Sequence, residues 1–102
     1  MDLRKVTIDF RDGNGPIDVY HCDRTLNEQI AIEAAVRYDE HGNVVNNSEV
    51  VLESFMQLAK DSSGMRMFMT PEDRARVRAT FKPGPLSRAV LAFDSAEAAA
   101  GN

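Results

Sequence analysis

A chain of 102 residues, 43% hydrophobic and 27% charged, is long enough to bury one ordinary core and too apolar for wholesale disorder. One cysteine excludes an internal disulfide framework and a four-cysteine zinc site. The net charge of −4 is unevenly laid out: residues 1–64 hold 6 Lys/Arg against 12 Asp/Glu, whereas residues 65–88 hold 6 against 2. Such asymmetry marks either a basic surface for an acidic partner or two parts of one fold that complement each other, and the second reading is the simpler.

Residues 5–10 read K-V-T-I-D-F, so Val6, Ile8 and Phe10 alternate with polar neighbours as in a half-buried strand. Arg11-Asp12-Gly13-Asn14-Gly15-Pro16 is dense in turn formers, and Ile17, Val19 and Tyr20 resume strand character. A β-hairpin is expected. Thr25-Leu26-Asn27-Glu28 fits a capping box, and Leu26, Ile30, Ala34 and Tyr38 recur every four residues. The good helix formers Gln29, Ala31, Glu33, Ala34, Ala35 and Arg37 tip the reading to a helix over 26–41. The alternative is a second hairpin around residues 30–45, because Ile30, Ile32, Ala34, Val36 and Tyr38 also alternate.

Asn46-Asn47-Ser48 offers caps for a helix over 49–60, whose buried face is Val51, Leu52, Phe55, Leu58 and Ala59. Residues 65–69 form a short connector. Thr70-Pro71-Glu72-Asp73 starts a further helix running to about Phe81, with proline at its first position and acids in its first turn. Lys82-Pro83-Gly84-Pro85 stops it, and 86–93 forms a last short helix. The fold class is therefore α+β: an N-terminal antiparallel hairpin packed against three or four short helices. Residues 1–95 are read as a single domain and 96–102 as a frayed, Ala-rich tail.

Few constellations could carry chemistry. Asp12 to Asp18 resembles the middle of an EF-hand calcium loop, yet the first and twelfth positions fall on Phe10 and His21, where oxygen ligands are required. Cys22 lies between His21 and Asp23, but adjacent strand residues point to opposite faces, so His21 is badly placed to activate the thiol. His21, Cys22, Asp23 and His41 lack paired metal-ligand spacing. The glycines at 13 and 15 have no third partner for a phosphate cradle. No cofactor, metal or catalytic residue is expected.

Two surfaces remain. Arg74, Arg78 and Lys82 are spaced by four and predict a basic stripe on one helix, with Arg66, Arg76 and Arg88 nearby. Met65, Met67, Phe68 and Met69 crowd the connector, where methionines either seal the helix junction or meet a partner. The candidate partner-binding set is Met65, Arg66, Met67, Phe68, Met69, Arg74, Arg78 and Lys82. The function expected is a small non-enzymatic interaction module (a regulator, inhibitor or assembly subunit) that binds another protein or its own copies, the latter through the open hairpin edge. A basic-helix nucleic-acid binder is the alternative, and a small cysteine-dependent enzyme ranks below it. The longest apolar run, 89–93, is far short of a membrane span, so no membrane partner is expected. Residues 1–5 lead straight into strand-like alternation with no apolar signal core, which predicts a cytoplasmic protein.

Overall fold

Strand β1 (Arg4–Asp9) and strand β2 (Pro16–His21) form the expected hairpin. The register sets Val6 opposite Val19 and Ile8 opposite Ile17, so the apolar alternation of both strands lands on one face. The turn depends on positive φ at Arg11, Gly13 and Gly15. A Cβ added at either glycine would find open space, so backbone conformation rather than crowding demands glycine there. The Asp9 carboxylate accepts from the Arg11 amide at 2.8 Å, and that of Asp12 from both nitrogens of Asn14. Those bonds hold Asp12 below the usual carboxylate range and make the stretch a hairpin turn. This computed structural model describes residues 2–100.

Helix α1 (Leu26–Ala34) opens on the expected capping box: Thr25 Oγ1 accepts from the Glu28 amide, and the Glu28 carboxylate accepts from the Thr25 amide at 2.8 Å. It stops at Ala34 rather than continuing to His41. Beyond it, Tyr38 pairs with Val44 across a turn whose hub is Asp39, which accepts from the His41 and Asn43 amides. Both sequence readings therefore hold in part, helix first and tight turn after. The side-chain bonds of Asp39 and the positive φ of Gly42 decide the switch.

Helix α2 (Asn47–Leu58) follows. Asn46 sits at its N-cap but turns backwards, donating to the Ala35 carbonyl and accepting from the Arg37 amide. It ties α1 to α2 instead of capping α2. Helix α3 (Pro71–Thr80) has a second capping box, between Thr70 and Asp73. Helix α4 (Pro83–Ala100) is longer than expected at both ends. Pro83 and Pro85 stop α3, yet they are tolerated in a first turn whose N–H groups have no helical partner. Residues 96–100, expected to fray, continue the helix; residues 101–102 lie outside the described residues. Alanine favours the helical backbone there, and Glu97 accepts from the Arg24 amide and Nε, both at 2.8 Å.

The result is a mixed α+β fold, a two-stranded antiparallel hairpin with four helices, as the sequence predicts. Phe55 of α2 is fully buried at its centre, with the rings of Phe10 and Phe68 at 5.2 and 5.3 Å and those of Phe81 and Phe93 at 5.9 and 6.5 Å. All five phenylalanines of the chain thus meet in one cluster. Helix α4 is fastened to the hairpin at both ends: the Lys82 amide donates to the Phe10 carbonyl, and Arg24, just past β2, grips Asp94 and Glu97. Among the described residues, no helix is long and apolar enough to cross a membrane.

Candidate interaction surface

The connector at 65–69 is divided rather than wholly buried or wholly exposed. It begins at a turn in which Asp61 accepts from Ser63 and from the Met65 amide. Met67 donates its amide to the Ala59 carbonyl and packs on the core, and Phe68 is buried. On either side of them Met65 and Met69 stand out into solvent, 63% and 60% exposed. Arg66 works inward: its Nε and Nη2 donate to the Met56 carbonyl at 3.0 and 2.8 Å, satisfying an acceptor near the end of α2. The connector has both roles because its middle residues, Arg66 to Phe68, turn inward while Met65 and Met69 at its two ends do not.

The basic stripe does not form as expected. Helix α3 ends at Thr80, so Lys82 lies beyond it in the junction with α4. Arg78 makes a two-pronged bond to Glu49 at 2.8 and 2.7 Å, and Arg74 reaches Glu53 at 2.8 Å. Two carboxylates four apart on α2 thus match two guanidiniums four apart on α3, in opposite chain order. The bond from Arg78 holds the Glu49 carboxyl below its usual range. Arg76 lies 5.6 Å above the Phe68 ring and pairs with Asp73. Much of the charge asymmetry seen in the sequence is therefore complementarity between α2 and α3.

A surface that sequence reasoning missed lies on α1. The four-residue rhythm of Leu26, Ile30 and Ala34 marks one helix face, and that face points away from the protein. Leu26 is 75% exposed and Ile30 54%. What α1 turns inward is Ile32 and the Glu28 carboxylate, which accepts from the Lys60 ammonium at 2.9 Å. That pair is nearly sealed from water, the Lys60 side chain 9% exposed and the Glu28 side chain 14%. No local pattern announces it, since the partners are 32 residues apart.

Two grooves adjoin the helices. One of about 350 Å³ lies where α2, α3 and α4 meet and is lined by Ser48, Leu52, Val77, Phe81 and Leu86 among others. A second, of about 420 Å³, holds the Glu49–Arg78 and Glu53–Arg74 pairs together with Arg37. Cys22, His21 and His41 line neither. His21 is buried against the Phe93 ring at 4.6 Å, and burial pushes its imidazole below the ordinary histidine value, with the Arg4 charge adding to the shift. Cys22 is half-buried, and His41 is exposed beside Glu40. Among the described residues no group of three His, Cys, Asp or Glu side chains is placed to hold a metal ion. Comparison with protein-family models, with curated proteins and with solved structures returns no match.

Proposed function

We propose that this protein is a small non-enzymatic interaction module of the cytoplasm, a regulator, inhibitor or assembly subunit that binds another protein by surface complementarity. The observation that carries this reading is the outward face of α1. Leu26 and Ile30 stand side by side at helical spacing, and among the described residues they remain 75% and 54% exposed. An apolar helix face turned outward gains nothing from folding and would gain from being covered by a partner, which supports this reading. Exposed Met65 and Met69 supply adaptable apolar surface of the same kind. Nucleic acid is the less favoured partner, because Arg74 and Arg78 are already matched to carboxylates.

The test is paired capture from the native extract, using wild type and the variant L26E/I30E. Both substitutions sit on exposed positions, so folding, checked by circular dichroism, is expected to be intact. A protein retained by wild type and lost by the variant supports the reading. Equal retention by both, or salt-sensitive binding to DNA at low ionic strength, overturns it.

A further inference from the structure

The hairpin has two edges, and only that of β2 is bridged to another part of the chain among the described residues. On the β2 side, Tyr20 exchanges both backbone bonds with Lys60, at 2.8 and 2.7 Å, and Lys60 pairs onward with Arg66. Tyr20 therefore directs its N–H and C=O away from β1. Its register partner Lys5 must then direct its own away from β2, and the two-residue period gives Thr7 and Asp9 the same outward orientation. None of these three residues makes a backbone bond to another part of the chain among the described residues. The β1 edge is a row of unpaired donors and acceptors, flanked by exposed Lys5, Thr7 and Asp9 side chains on one face and half-buried Val6 and Ile8 on the other.

The geometry points to a second copy of this chain as the occupant of that edge, the two β1 strands pairing antiparallel about Thr7 to make one four-stranded sheet. This deepens the interaction reading above and rests on it. Charge selects both partner and register. A lone lysine on an edge strand guards against pairing, but here Asp9 stands four residues on, so a two-fold axis at Thr7 sets Lys5 opposite Asp9 of the second copy, and Asp9 opposite its Lys5. Centring the pairing on Lys5 or on Asp9 would instead oppose like charges. On the opposite face the Thr7 register brings Val6 against Ile8 of the second copy, joining two apolar rows that are only half-covered in the single chain. The contact is isologous and closes, so it stops at two copies. The β2 edge is the poorer template, because Lys60 blocks it at Tyr20 and Pro16 has no N–H to donate.

Sedimentation equilibrium of wild type, K5D, D9K and K5D/D9K tests the pairing. Wild type is expected to dimerise. Each single swap reverses two symmetry-related pairs and is expected to weaken the dimer roughly tenfold, and the double swap to restore it to near the wild-type value. Hydrogen exchange gives an independent reading: Lys5, Thr7 and Asp9 amides gain protection as wild-type concentration rises. A wild-type chain that stays monomeric at its highest soluble concentration overturns the pairing, while the α1 capture experiment decides the broader reading separately. A dimer indifferent to either single swap, or one that leaves the Thr7 amide unprotected, also overturns it.

Discussion

Removing the Lys60 ammonium should destabilise the protein far more than an ordinary lysine substitution. Lys60 contacts the Glu28 carboxylate at 2.9 Å and, more weakly, the Leu58 carbonyl, in a site almost closed to water. K60M keeps most of the aliphatic stem and leaves the backbone bridge to Tyr20 in place, so the change is mainly the loss of one charge. It strands a buried carboxylate, at a cost of about 2.5 kcal/mol, just under the range for broken fully buried pairs because some water still reaches both groups. For a domain of this size that is a fall in Tm of roughly 10–20 °C. E28Q keeps the capping box, since glutamine serves at that position, but strands the ammonium at similar cost. The double variant strands neither charge and should lose only about 2 kcal/mol, leaving a coupling of about 3 kcal/mol in the cycle. Urea denaturation of the four proteins, followed by circular dichroism at neutral pH, measures it. Repeating it in acid adds a signed check. Burial pulls the Glu28 carboxyl upward, but the bonds from Lys60 and Thr25 outweigh it and hold the group below its ordinary 4.5. The stabilisation is therefore complete above that value and lost as pH falls through the lower folded-state value, where wild type and K60M converge. Single variants within 0.5 kcal/mol of wild type at neutral pH, or a double variant equal to the sum of the singles, would refute the burial argument.

Three further expectations follow from the core and its fastenings. Because burial depresses His21, its neutral form is favoured in the folded state; stability is full above about 6.5 and falls as pH drops below it toward the folded-state value, and H21F should flatten that slope in thermal melts. F55A opens a cavity among four aromatic rings and should cost about 3–5 kcal/mol, a large part of a typical domain's stability, read by urea titration. R24A removes the grip on Asp94 and Glu97, and hydrogen exchange should show faster opening over the last turns of α4 while amides of α2 keep their protection.

What sequence reasoning recovered was local, and what it missed was tertiary. The hairpin follows from strict alternation in β1, and the start of α1 from Thr25 and Glu28, because each signal lies within a few residues of its effect. The end of α1 depended on Asp39 and on Asn46 reaching back to the Ala35 carbonyl, neither of which a propensity sum contains. The stripe of Arg74 and Arg78 was visible as spacing, but its meaning turned on Glu49 and Glu53, which a one-dimensional reading has no reason to set beside it. Likewise the rhythm of Leu26 and Ile30 correctly named a helix and said nothing of which way the helix faced, since Glu28 took the inward side. Met65 to Met69 could be read as core or as contact, and the chain uses the middle side chains for the first and the end ones for the second.

The fastening of α4 at both ends bears on how the molecule comes into being. The hairpin is made first, yet the residues that cover its underside and lock its exit belong to the final fifth of the chain, from the Lys82 amide to the Glu97 carboxylate. A polypeptide emerging from the ribosome would have Phe55 of α2 to set against Phe10, but would lack the Lys82 bond to the Phe10 carbonyl and the Arg24 grip on Glu97 until that segment had been synthesised. Fastening is thus a late event that joins segments far apart in sequence, after the helices between them have supplied part of the core.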